Sequence, residues 1–138
     1  MRRLLQPCRP DSLAAALLAV AAVGVLVAGL QHARLFHRGY AEVEVVGALF
    51  LLNAIGATAV VLALLARRVW LFVLGVLAIC VPSLASIAMS HSRAGFLGFR
   101  EGGYDADAVV IVVAEVGAAV FALLGAIAAR ERPGWRAR

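Results

Sequence analysis

Glu115 is the residue best placed to do chemistry in this chain. It is a carboxyl group inside the apolar run 108–129, AVVIVVAEVGAAVFALLGAIAA. An ionisable side chain facing lipid at the middle of a span costs on the order of 3 kcal/mol by translocon scales, so such residues turn inward and mark functional positions by default. The run starts seven residues before Glu115, which puts the carboxyl roughly 10 Å into the membrane. Its neighbours at i+3, i+4, i+7 and i+11 are Ala118, Ala119, Ala122 and Ala126. A face of small residues lets another helix come close, so Glu115 is expected to point into a helix bundle.

Two further runs place polar groups at a similar depth. Asn53 shares a helical face with Gly56 and Ala57, while Cys80, Ser83, Ser86 and Ser90 recur at helical spacing. Glu115, Asn53, Ser83 and Ser86 therefore define an expected membrane-embedded polar layer drawn from three helices. The first apolar run contributes nothing to it beyond Gly24 and Gly29, which suit close packing. Three uses of the layer stay open: hydrogen bonds that fix helix register, a proton-handling or ligand-orienting carboxylate, or an interface with another subunit.

A second group lies in the polar connections. His32, His37 and His91 fall there with Glu101 and Asp105, giving imidazoles and carboxylates that could form an outer-loop ligand site. His32 and His37 are five apart and nothing resembles H-x-x-x-H or H-E-x-x-H, so no metal is assigned. The plainer reading is a wet interfacial surface. The segment GFREGGYD suits a local salt bridge among Arg100, Glu101, Asp105 and Asp107. No nucleophile–base order, phosphate-cradling glycine loop or dinucleotide fingerprint occurs, and no catalytic residue or cofactor is assigned. Cys8 and Cys80 lack metal-type spacing, and Cys80 reads as a small core residue.

The elements that must position these groups are membrane spans. Of 138 residues 64% are hydrophobic, with a mean hydropathy of +0.96. The apolar residues come in blocks of about twenty, the length that crosses roughly 30 Å of hydrocarbon. The spacing predicts helices over 13–30, 43–66, 69–89 and 108–129, joined by connections at 31–42 and 90–107 and by a short turn at Arg67 and Arg68. A short turn makes helices 2 and 3 antiparallel neighbours, and Pro82 is expected to kink helix 3. The first run is longer than a 7–15-residue signal-peptide core and has a poor cleavage site, so a retained helix is expected. Phe96, Leu97 and Phe99 are too apolar for a simple solvated loop and should lie on the membrane surface or fold over the bundle mouth.

All thirteen basic residues are arginines, which points to a GC-rich bacterial genome. They flank the apolar blocks and form no basic face, so the net charge of +5 carries no nucleic-acid reading. With both termini cytoplasmic, nine arginines lie inside and four outside, as the positive-inside rule requires. Trp70 and Trp135 then mark the inner interface, and Tyr40 and Tyr104 the outer one.

The stretches GYAEVEVVGALFLLNAIGATAVVLALL (39–65) and GFREGGYDADAVVIVVAEVGAAV (98–120) resemble segments of small four-helix membrane proteins of high-GC Gram-positive bacteria. The resemblance implies the same architecture and carries over no catalytic residue. The expectation is thus an all-α, four-transmembrane-helix, up-down-up-down bundle forming a single domain over 1–138 in the cell membrane. It would be a non-enzymatic accessory or stabilising component that contacts the bilayer and, through its helix faces, other subunits or copies of itself. The rival expectation is a small-solute or proton-coupled carrier using Glu115.

Overall fold

The computed structural model describes residues 12–130; Cys8, the flanking arginines at either terminus, Pro133 and Trp135 lie outside them. Four long helices make up the described residues: α1 (Ser12–His37), α2 (Glu44–Leu65), α3 (Val69–Ser90) and α4 (Ala106–Arg130), with one 3-10 turn at Tyr40–Glu42 between the first two. Each helix is long and apolar enough to cross a membrane. A helix satisfies its own backbone hydrogen bonds, which is what a segment in hydrocarbon needs.

The helix ends follow local chemistry. At the C-terminus of α2, Arg67 takes the left-handed conformation with φ 58°. The Arg67 and Arg68 amides then donate back to the Leu64 and Ala63 carbonyls, both at 2.8 Å. This is a Schellman closure, and it reverses the chain within three residues. At the start of α4, Asp105 accepts from the Ala108 amide at 2.7 Å, satisfying an orphan donor of the first turn. Gly47 seats α2 against the preceding 3-10 turn, because a Cβ there would collide with the Tyr40 carbonyl.

Each helix packs antiparallel on its chain neighbours, and α4 closes the ring on α1, which is the most extensive contact. Buried positions recur in heptads. On α1 the recurring set is Ala14, Leu18, Ala21, Val25, Ala28 and His32, with Gly29 beside it; on α4 it is Ile111, Glu115, Ala118, Ala122, Gly125 and Ala129, with Ala126 beside it. Alternating steps of four and three keep one seam facing its partner, the packing mode of left-handed bundles. Small residues set the spacing: a Cβ on Gly24 would lie 2.9 Å from the Ala114 carbonyl, and one on Gly125 would lie 2.8 Å from Leu18. Phe72 is the largest fully buried side chain and fills the centre with Leu18, Val25 and Val76. The opposite faces carry exposed leucine and valine on every helix, among them Leu30, Leu65, Leu74 and Val113.

One boundary differs markedly from the sequence expectation. α1 runs past Leu30 to His37, so Gln31, His32 and Arg34 are helical and the connection shrinks to residues 38–43. The polar residues there did not end the helix, because Gln31 and His32 find partners within the bundle. α3 passes Pro82 without interruption. Proline removes the donor that would serve the Ala78 carbonyl, Ser86 Oγ donates to the Pro82 carbonyl at 2.7 Å, and the helix is continuous across the site.

Candidate functional site

Four polar side chains meet inside the bundle near the end that carries the two longer connections, one from each helix. Glu115 of α4 is 0% exposed. Asn53 of α2 donates through Nδ2 to Glu115 Oε1 at 3.2 Å. Ser83 of α3 stands beside the same carboxyl, while its Oγ has hydrogen-bond geometry, at 3.5 Å, with Nε2 of His32 on α1. The His32 ring is fixed from behind: Nδ1 lies 2.8 Å from the Ala28 carbonyl. A carbonyl can only accept, so Nδ1 carries the proton and neutral His32 presents a lone pair at Nε2. The Ser83 hydroxyl, with its single proton, therefore stands between two acceptors, His32 Nε2 and the Glu115 carboxyl.

The seams explain why these four meet. Asn53 lies seven residues from both Val46 and Val60 on the buried face of α2. Ser83 follows Val69, Val73, Val76 and Cys80 on α3 at the same alternating steps, and Glu115 and His32 occupy seam positions of their helices. The cluster is one layer of bundle packing built from polar residues. Two acceptors of the layer, Asn53 Oδ1 and Glu115 Oε2, are buried without a hydrogen-bond partner among the described residues, as is His91 Nε2 outside the layer.

Above the layer lies a cavity of about 190 Å³. Asn53, His32 and Ser83 reach it from below, and Phe50 and Tyr40 wall it on one side. Its roof is the connection 91–105. Phe96 and Phe99 exchange backbone hydrogen bonds, both at 2.8 Å, around Leu97 and Gly98 with φ 48° and 81°. Two positive φ angles in a two-residue loop make a type I′ turn. It brings the two phenylalanines together, so the apolar segment folds over the bundle mouth. Tyr40 stacks on Phe50 at 4.7 Å and meets Phe99 edge-on at 5.7 Å. Its hydroxyl donates to Glu101 Oε1 at 2.7 Å; burial and then this carboxylate push the Tyr40 phenol well above its ordinary range.

The histidines grouped by sequence as a possible outer-loop site do not come together. His32 is 3% exposed and belongs to the cluster, which gives α1 a member where none was expected. His37 lies exposed at the end of α1 against Phe36. His91 stacks on Tyr104 at 3.8 Å, with Nδ1 donating to the Ile87 carbonyl at 2.8 Å. Glu101 and Asp105 line the cavity mouth, and no group of three or more His, Cys, Asp or Glu among the described residues could hold a metal ion. Ser86 bonds back to its own helix and lines the cavity without joining the layer. Asp107 pairs with Arg38 at 3.6 Å and accepts from Gln31 at 3.2 Å, in place of a partner inside its own loop.

Fold and site together define a four-helix candidate integral membrane protein with a buried polar layer beneath a roofed cavity. The chain matches no family model, no curated protein and no solved structure.

Proposed function

We propose that this chain is a small non-enzymatic integral membrane protein of the cell membrane, acting as an accessory or stabilising component of a membrane assembly. One observation carries the reading: the polar groups of all four helices converge on each other around Glu115. Interhelical hydrogen bonds of this kind fix register in a membrane, at about 0.6–2 kcal/mol each. The bundle then presents an apolar exterior to lipid and to neighbouring subunits. The arginine count supports cytoplasmic termini, and arginine-only basicity accords with a high-GC Gram-positive origin. Purification in a gentle detergent with identification of co-purifying membrane proteins tests the proposal. A stoichiometric partner is expected; a lone monomer with its own turnover contradicts it.

A second reading, a small-solute or proton-coupled carrier, draws on the cavity that reaches Asn53, His32 and Ser83 beside the Glu115 carboxyl. On that reading Glu115→Gln abolishes solute-driven proton uptake into liposomes. Flux unchanged by the substitution removes it.

A further inference from the structure

We propose that the roofed cavity is a binding site for a lipophilic amine in its protonated, N–H-bearing form, entering from the bilayer between α2 and α3. This goes beyond the accessory role and does not depend on it.

Four features of the cavity select the ligand class. Its charged lining residues are Glu101 and Asp105, both acidic, and no arginine lines it. A phosphate or carboxylate head would meet only like charge there, whereas a cation is favoured. Its walls are aromatic: Tyr40, Phe50, Phe96 and Phe99 all line it. Aromatic faces attract cations, by about 0.5–1 kcal/mol when exposed and about 2 when desolvated.

The third feature is unused acceptors at both ends. Asn53, 8% exposed, lines the floor and has an unpartnered Oδ1. His91 lines the upper end with an unpartnered Nε2. Because its Nδ1 is committed as donor to Ile87, neutral His91 offers a lone pair at Nε2. Both atoms lack a donor, and an ammonium group supplies N–H donors together with the charge. The Asn53 amide already holds Glu115, so a cation at Oδ1 sits one side chain from a further carboxyl group.

The fourth feature is access. Leu49, Leu52 and Pro82 line the cavity and are themselves exposed on the outer faces of α2 and α3. The opening therefore faces the side of the bundle where acyl chains lie. A volume of about 190 Å³ exceeds the roughly 150 Å³ of a cavity that takes up benzene. It accommodates an ammonium head with a ring-sized apolar segment, and the remaining tail passes out between the leucines.

The test is equilibrium binding to the full chain in phosphatidylcholine nanodiscs, with empty nanodiscs as the blank. Decylammonium, decyltrimethylammonium, decanol and decanoate are compared at equal chain length. Decylammonium is expected to bind saturably, one per chain, and at least tenfold tighter than decanol or decanoate, a factor that corresponds to about 1.4 kcal/mol. Decyltrimethylammonium keeps the charge but has no N–H, and is expected to bind about tenfold more weakly than decylammonium, the scale of one charge-assisted hydrogen bond. Glu101→Gln and Phe99→Leu lie in the roof, away from the helix seams, and each is expected to weaken decylammonium severalfold while leaving decanol unchanged. Asn53→Leu is expected to remove the preference for N–H. Equal or tighter binding of decanol, which would make the site one for neutral hydroxyl ligands, overturns the proposal. So do tighter binding of decanoate, and binding no different from the blank.

Discussion

The two halves of this bundle solve the same packing problem with opposite materials. Toward the short α2–α3 turn, the seams are filled by Leu18, Phe72, Val73, Val76, Ala118 and Ala122, and glycine lets helix backbones approach closely. Toward the two longer connections, the same seam positions carry His32, Asn53, Ser83 and Glu115, with aromatic rings and a cavity above them. In lipid, apolar side chains gain little by leaving their surroundings for one another, so the first half is held by close van der Waals contact. The second half is held by directional bonds, and it retains unpaired acceptors and free volume. Close packing belongs to the first and the cavity to the second.

Substitutions in the two halves should fail differently. The largest expected effect is in the tightly packed contact of α1 with α4: Gly24→Leu should cost on the order of 3 kcal/mol. Its Cβ would meet the Ala114 backbone carbonyl at 2.9 Å, and a backbone atom cannot step aside cheaply. Gly117→Leu, where a Cβ meets nothing within 4 Å, should be close to neutral in the same thermal unfolding series. Comparable losses from the two would mean that close packing does not govern this interface.

Next in size is Glu115→Leu, which leaves the buried Asn53 amide without its acceptor and should cost about 1–3 kcal/mol. Glu115→Gln retains a carbonyl acceptor for Asn53 and should cost less than half as much. Equal losses would show that side-chain volume, not hydrogen bonding, holds the polar half together.

A smaller effect comes from the roof. Tyr40→Phe removes the 2.7 Å bond to Glu101 and should cost about 1 kcal/mol. Because the folded protein raises the Tyr40 phenol above its unfolded value, its contribution is full below the ordinary tyrosine range, about pH 10. It is lost as pH rises through the raised value. Alkaline unfolding curves of wild type and Tyr40→Phe should therefore converge at the highest pH and separate below it. The smallest effect is at the surface: Arg38→Ala breaks a half-exposed pair with Asp107 at 3.6 Å and should change stability by about 0.5 kcal/mol or less, vanishing in high salt.

The sequence made the dry half legible and the polar half only partly so. Span lengths, the short turn after α2 and the inward aspect of Glu115 all follow from apolar blocks, alanine spacing and the cost of a lipid-facing carboxylate. Asn53 could be placed at the depth of Glu115 because both sit a similar distance from their run's end. His32 was grouped with the outer connection, not the layer, because Gln31 and His32 look like the close of an apolar run when polarity alone is read. The heptad Ala14, Leu18, Ala21, Val25, Ala28, His32 was present as a signal: the seam continues through the histidine. The apolar run 69–89 carried helix 3 through Pro82, and α3 is continuous there. The pairing of Phe96 with Phe99 depends on Leu97 at positive φ, a conformation that residue type disfavours, so the turn had no local signature beyond Gly98.

The central claim is that Glu115 and Asn53 are joined directly across α2 and α4. A double-mutant cycle of Glu115→Leu, Asn53→Leu and the double variant, read by reversible unfolding in one detergent, tests it most directly. The two single losses should exceed what additivity allows by about 0.6–1.7 kcal/mol, the range found for hydrogen bonds between membrane helices. Strict additivity within a few tenths of a kcal/mol would mean that the two side chains do not touch in the folded protein, and would contradict the polar layer at its core.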